Sequence, residues 1–97
     1  MSAQKLTRPA LVIQSDLFSA YTRVTVLLFT STLVDTPLLR VTIQPHTDNG
    51  LQRTSQVMID KAMTVTREKL GLVFGSLDAE NLVQVDRCLS VFLGIVK

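Results

Sequence analysis

The chain has 97 residues and is 46% hydrophobic and 19% charged, which excludes a disordered protein and leaves room for one ordinary domain. We therefore predict a single domain spanning residues 1–97. The formal net charge of +2 is a mild basic bias that suits a polyanionic partner. A single cysteine and a single histidine exclude an internal disulfide framework and argue against a metal centre, so we expect no cofactor.

The N-terminal sequence gives no sign of export or of membrane insertion. Residues 1–8 lack the apolar region of a signal peptide, and no stretch of the chain approaches the roughly 20 apolar residues of a membrane helix. We expect a cytoplasmic protein without membrane contact.

Short β-strands are predicted in the first two thirds of the chain. Pro9 opens the apolar run at residues 10–13 and suits the first position of a strand, where its missing N–H is not needed. A polar loop at residues 14–21 leads to a second strand at residues 23–29, which ends at the polar residues that follow. Residues 38–43 alternate between apolar and polar side chains, as in a strand with one buried face.

A turn and further strands follow. Asn49-Gly50 is the strongest turn signal in the chain. Residues 55–60 and 63–66 predict two short strands or one bent strand.

The C-terminal segment predicts an amphipathic helix. Asp78 is a suitable N-cap, and apolar residues then recur at three- and four-residue spacing. They are Leu82, Val85, Leu89, Phe92, Leu93 and Val96. Several short strands followed by one helix predict a mainly β fold, namely a small, strongly bent sheet or barrel capped by the helix.

Polar residues at the predicted strand ends suggest one kind of chemistry. Arginine and lysine can bind phosphate and stabilise a pentacovalent phosphorane, a hydroxyl can donate to a phosphate oxygen, and a carboxylate can accept a proton. This combination suits metal-independent RNA cleavage, in which the RNA supplies its own 2′-hydroxyl nucleophile. The alternative is that the residues are solvated strand ends without a catalytic role. The residues concerned are Arg8, Thr30, Ser31, Asp60 and Lys61.

Five short segments occur in a characteristic order. They are Arg-Pro-Ala-Leu-Val-Ile-Gln at 8–14, Val-Thr-Val-Leu-Leu-Phe-Thr-Ser at 24–31, Asn-Gly-Leu at 49–51, Ser-Gln-Val-Met-Ile-Asp-Lys at 55–61, and Lys-Leu-Gly with Gly-Ser-Leu-Asp at 69–71 and 75–78. Together they resemble the MazF/PemK (Kid) toxin family over about residues 8 to 97. The resemblance implies a small SH3-like barrel of the MazF/PemK/CcdB type, usually dimeric.

The resemblance also implies a function and its residues. Family members are toxins of toxin–antitoxin pairs that cut single-stranded RNA at short sequences without a metal, leaving 2′,3′-cyclic phosphate and 5′-hydroxyl ends, and a cognate antitoxin blocks them. Arg8 and Thr30 correspond to the family's catalytic arginine and threonine. Asp60 is the only matching position with a carboxylate that could act as a base. The RNA-binding candidates are Ser31, Lys61 and Arg53.

The chain departs from the family pattern in two places. Only seven residues precede Arg8, where family members carry a first strand and a long loop. A barrel lacking that strand would have an unpaired edge, which we expect to be filled by residues 1–7, by a partner strand or by an antitoxin segment. In addition, Met58 stands where some members place a catalytic arginine, and Lys61 replaces the usual glutamine.

Two alternative functions remain open from the sequence. Residues 92–95, Phe-Leu-Gly-Ile, resemble the C-terminal end with which the related CcdB toxins bind DNA gyrase. The short N-terminus would also suit a truncated, inactive toxin that only binds an antitoxin.

Overall fold

The structure, a computed structural model, describes residues 2–5, 9–13, 22–71 and 73–95. These residues form a mainly β protein with a C-terminal helix. In chain order the elements are β1 (Ser2–Lys5), β2 (Pro9–Val12), β3 (Arg23–Thr30), β4 (Arg40–Ile43), β5 (Ser55–Thr66), a short 3-10 turn (Arg67–Lys69), β6 (Val73–Gly75) and α1 (Ala79–Phe92). The predicted loop at residues 14–21 and the predicted catalytic Arg8 lie outside the described residues.

The described strands form one antiparallel sheet in the order β4-β5-β3-β2-β1-β6. The central strand β3 is apolar on both faces because it contributes to two core clusters. Leu27 and Phe29 belong to the larger cluster, and Val24 and Val26 belong to the smaller one. This explains why the second predicted strand shows a nearly continuous apolar run rather than a simple alternation.

Strand β1 fills the barrel edge that the sequence analysis predicted to be unpaired. β1 pairs with β2, where Ala3 opposes Leu11, and with β6, where Ala3 opposes Gly75. Ala3 is fully buried. Of the three predicted occupants of the gap, the chain's own N-terminal residues fill it within this single chain.

Strand β5 is one bent strand rather than two separate ones. Leu27 of β3 pairs with Ala62, and Phe29 pairs with Val57, so residues 58–61 of β5 oppose Leu28 alone. Extra residues of this kind form a bulge that bends the strand and increases its twist. The first half of β5 consequently pairs with both β3 and β4, and the second half pairs with β3.

The predicted helix and its cap are confirmed. The Asp78 side chain accepts a hydrogen bond from the Asn81 N–H at 2.8 Å, and Val85 is fully buried against the larger core cluster. Phe92 and Leu93, at the end of the predicted apolar stripe, are instead exposed. No helix within the described ranges is long and apolar enough to cross a membrane.

The turn that follows β4 brings the two outer strands of the sheet together. The Asn49 side chain is buried; its Oδ1 accepts hydrogen bonds from the N–H groups of His46 and Leu51, both at 3.0 Å. The carbonyl of Asp48 in this turn accepts from the N–H of Ser76, just after β6, at 2.8 Å. Because β4 and β6 are the outer strands, this contact curls the sheet into the predicted barrel-like shape.

Candidate active site

A cleft of about 660 Å³ opens where β3 ends. Its described lining residues combine apolar side chains with hydroxyls and the cation of Arg53. The cleft is lined by Pro9 of β2, Phe29 to Thr32 at the end of β3, Gly50 to Arg53 in the turn after β4, Ser55 of β5 and Phe74 of β6. Segments far apart in the sequence therefore meet at one place because the sheet curls.

Gly50 allows the turn to form one wall of this cleft. Its φ of +68° lies in the left-handed region that glycine adopts without strain. A Cβ atom at this position would lie 2.5 Å from the carbonyl oxygen of Phe74 and 2.7 Å from its ring. The predicted Asn-Gly turn is thus confirmed, and its glycine is required for the close approach of the turn to β6.

Thr30 stands at the last position of β3, and its hydroxyl is held by the following turn. Its Oγ1 accepts a hydrogen bond from the N–H of Thr32 at 3.1 Å. A hydroxyl has one hydrogen to donate and two acceptor positions, so this bond leaves the Thr30 O–H able to donate to an incoming oxygen. Ser31 follows Thr30 in the cleft lining and is exposed.

Arg53 provides positive charge at the cleft. It is exposed and makes no ion pair with any residue in the described ranges. A guanidinium presents several N–H donors in a planar fork that matches the oxygens of a phosphate. Arg53 is therefore suited to bind an anion in the cleft that also contains the Thr30 hydroxyl.

The structure brings some of the predicted site residues together and leaves others apart. Thr30, Ser31 and Arg53 line the same cleft. Arg8 is outside the described residues, but its chain neighbour Pro9 lines the cleft.

Asp60 and Lys61 do not line the cleft. Both are exposed and lie in the bulge of β5. Gln56 is the cross-strand neighbour of Thr30, whereas Asp60 lies four residues further along β5, in the bulge opposite Leu28. Their roles as base and as phosphate ligand therefore stay predictions from the sequence.

Sequence reasoning missed part of the cleft. Leu51 was part of the family-like Asn-Gly-Leu segment without a role, and Phe74 belongs to β6, which was not predicted. A three-residue strand carries no usable periodicity, so its pairing with β1 is visible only in the folded chain. Nor do the described residues bring together a group of three or more histidine, cysteine, aspartate or glutamate side chains that could hold a metal ion.

Comparison with known proteins identifies the family. The model of the PemK-like, MazF-like toxins of type II toxin–antitoxin systems matches residues 2–93, a range that includes all strands and the helix that the structure describes. This chain belongs to that family. The matched range begins at Ser2, the first residue of β1, so the family model includes the first strand of this chain.

Individual relatives agree with the family assignment. Over 88 residues the chain is 48% identical to a protein of Mycolicibacterium smegmatis named probable endoribonuclease MazF, covering 91% of this chain and 81% of that protein. The Mycobacterium tuberculosis toxin MazF-mt6 superposes with a TM-score of 0.82 at 24% identity, covering 96% of this chain and 94% of that one. A MazE-MazF structure from Deinococcus radiodurans gives 0.81 at 21% identity, covering 98% and 94%. At these identities the two structures show the shared fold.

Proposed function

We propose that this MazF-like family member is the toxin of a toxin–antitoxin pair and cuts single-stranded RNA without a metal. The observation that carries the proposal is the cleft in which the Thr30 hydroxyl, able to donate a hydrogen bond, lies with the exposed cation of Arg53. The relative named as a probable endoribonuclease supports the same activity.

The chemistry we propose is an intramolecular transesterification of the RNA phosphodiester by the neighbouring 2′-hydroxyl. The RNA 2′-hydroxyl attacks the phosphorus and the bond to the 5′-oxygen breaks, which leaves a 2′,3′-cyclic phosphate and, after protonation, a 5′-hydroxyl. Thr30 donates a hydrogen bond to a non-bridging oxygen, and Arg8 and Arg53 offset the negative charge that builds up on the phosphorane. Asp60 is the proposed acceptor of the 2′-hydroxyl proton.

The apolar part of the cleft suits the bases of a single strand. Phe74 is half-buried and offers aromatic surface beside the polar Thr30 and Arg53, while the buried Phe29 and Leu51 form the apolar floor beneath it. Single-stranded nucleic acids are commonly bound by this combination of cation and stacking surface. We propose Ser31, Arg53 and Lys61 as RNA-binding residues.

We infer three further properties from the family. A MazE-MazF complex among the structural neighbours supports a protein antitoxin as partner. Exposed apolar side chains near the C-terminal end of α1, such as Phe92 and Leu93, support a homodimer. Membership of a toxin–antitoxin family supports action on RNA in the cytoplasm.

Cleavage of RNA oligonucleotides in EDTA tests the proposal. We expect cleavage with cyclic-phosphate product ends, because the proposed chemistry uses cationic, hydroxyl and carboxylate side chains and no metal ion. Arg8→Ala, Thr30→Ala and Asp60→Asn should each lower kcat by about 100-fold or more, the usual scale for lost electrostatic or acid–base catalysis.

Matched substitutions at exposed positions outside the cleft serve as controls. Arg87→Ala, Thr64→Ala and Asp86→Asn should leave the rate within about twofold of the wild type, as surface substitutions do. Cleavage that requires magnesium would contradict the mechanism. A wild-type chain that binds an antitoxin but cuts no RNA would instead identify the inactive alternative.

A further inference from the structure

Gln56 is a buried polar residue directly beside Thr30, and the chemistry proposed above does not use it. The two residues are cross-strand partners in the β3–β5 pair, and on its other side Gln56 pairs with Thr42 of β4. Its relative exposure is 5%, although exposed residues follow Thr30 along the chain. A buried amide needs hydrogen-bond partners, because an unpaired one is destabilising.

The Gln56 carboxamide holds the chain segment that follows Thr30. Its Oε1 accepts from the N–H of Val34 at 3.1 Å, and its Nε2 donates to the carbonyl of Val34 at 3.0 Å. This reciprocal pair resembles one rung of an antiparallel ladder, made by a side chain instead of a strand. Nε2 also donates to Thr42 Oγ1 at 3.1 Å, and Arg40 Nη1 lies 3.4 Å from Oε1, so both ends of the amide are occupied.

The same segment orients the Thr30 hydroxyl. Thr32 donates its N–H to Thr30 Oγ1 at 3.1 Å, and its carbonyl faces Arg40 Nη1 at 3.4 Å. Val34, two residues further on, is held at both backbone groups by Gln56. Residues 30–34 are therefore attached to the sheet at successive points, and releasing Val34 frees the backbone that carries the Thr32 N–H.

We propose that Gln56 is a positioning residue for RNA cleavage. It acts through the backbone of residues 32–34 to keep the Thr32 N–H on the Thr30 hydroxyl, so that the hydroxyl hydrogen stays available to the phosphate. This role rests on the proposed function. Gln56 is buried and is not among the described residues that line the cleft, so the proposed role needs no contact with the RNA.

Two substitutions at Gln56 separate this role from general stability. Gln56→Leu removes every hydrogen bond of the amide at similar volume. Gln56→Glu keeps the shape but places a carboxylate oxygen against the Val34 carbonyl. Thermal unfolding shows which variants are folded. If Gln56→Leu does not fold, the kinetic measurements are made on Gln56→Glu.

The kinetic expectation is a loss in kcat with unchanged binding. We expect kcat to fall by about 10-fold to 100-fold, the scale of a small misplacement of a catalytic group. KM, and the affinity for a non-cleavable oligonucleotide with 2′-deoxyribose at the cut site, should stay within about twofold. In Gln56→Leu, exchange of the Val34 amide hydrogen, followed by NMR, should become at least about 10-fold faster because the acceptor of that N–H is lost.

Two further variants control the experiment. Gln44→Leu changes an exposed glutamine whose Oε1 accepts from Thr54 at 2.8 Å, outside the cleft, and should leave kcat unchanged. In a Thr30→Ala background, Gln56→Leu should lower kcat by less than about twofold more, because residues that act as a unit are not additive.

Several results would overturn the inference. Wild-type kcat in both folded Gln56 variants, a change in KM alone, or a full additional loss in the Thr30→Ala background would each show that Gln56 does not act through Thr30. These results leave the proposed function intact, since the wild-type chain still cuts RNA. A wild-type chain that cuts no RNA overturns the proposed function, and the role of Gln56 in cleavage falls with it.

Discussion

At the scale of single residues, the capacity of Thr30 to donate a hydrogen bond depends on its neighbours in the chain. A free threonine hydroxyl rotates among several partners, whereas here Oγ1 already accepts from the Thr32 N–H. Local side-chain to backbone bonds of this kind are typical where a strand ends and the chain turns. The residue type is visible in the sequence, but the orientation of its hydroxyl comes from the turn.

Gly50 allows a prediction with an internal control. Gly50→Ala should lower the free energy of unfolding by about 3 kcal/mol, because the methyl group adds left-handed strain and meets the Phe74 carbonyl 2.5 Å away. Gly94 has a similar φ of +76° but no neighbouring atom within 4 Å. Gly94→Ala should therefore lower the free energy of unfolding by only about 1 kcal/mol, the left-handed strain alone.

Urea unfolding of both variants measures the difference. Equal losses would show that the turn moves away from β6 without hindrance, and that the close approach of Gly50 to Phe74 is not required for the cleft wall.

At the scale of elements, β1 contributes more than its length suggests. It has four residues, yet it lies between β2 and β6 and pairs with both. An edge strand can lose pairing on one side only, whereas the loss of β1 would leave two strand edges unpaired. The short strand therefore links β6, and with it one wall of the cleft, to the rest of the sheet.

Ala3→Glu tests this link without shortening the chain. Ala3 is fully buried, so a carboxylate there has no water and no partner, and we expect a loss of at least about 3 kcal/mol in the free energy of unfolding. Ala62→Glu places the same side chain at an exposed alanine of β5 and should change stability by about 0.5 kcal/mol or less. Chemical denaturation distinguishes the two, and an Ala3→Glu variant as stable as wild type would show that β1 is dispensable.

At the scale of the whole molecule, exposed apolar side chains collect near the C-terminal end of α1. Val91, Phe92, Leu93 and Ile95 are between 49% and 73% exposed. The residue 33–38 segment adds Leu33, Val34 and Leu38, and the Cys88 thiol contacts the Pro37 carbonyl at 3.7 Å, so helix and segment adjoin. Apolar surface of this kind is typical of an interface between subunits.

We expect the protein to sediment at micromolar concentration with twice the 10.7 kDa mass of one chain. Phe92→Lys should shift the equilibrium toward the monomer by placing a charge in the interface, with circular dichroism unchanged. Val73→Lys introduces the same charge at an exposed apolar residue of β6 and should leave the dimer intact. A dimer that persists in Phe92→Lys would place the subunit contact elsewhere. A monomeric wild-type protein would show that this surface does not form a dimer.

Much of the architecture was predictable because its signals are local. The apolar run of β3, the Asp78 cap with its helical apolar spacing, and the Asn49-Gly50 turn each depend on residues close together in the chain. Family-like segments then indicated the position of Thr30 and the kind of chemistry. Those parts need no knowledge of which strands pair.

The remaining features depend on pairing between distant segments. β1 and β6 are too short to show a period, and they become strands only because each completes a neighbour's hydrogen bonds. Asp60 and Lys61 lie in the β5 bulge opposite Leu28 rather than beside Thr30, and the segment after Thr30 buries Gln56 by supplying the Val34 backbone. The sequence by itself therefore determined the elements with local periodicity and the residue types of the site. Only the tertiary structure decided which of those residues share the cleft, because strand register and burial are set by contacts across the sheet.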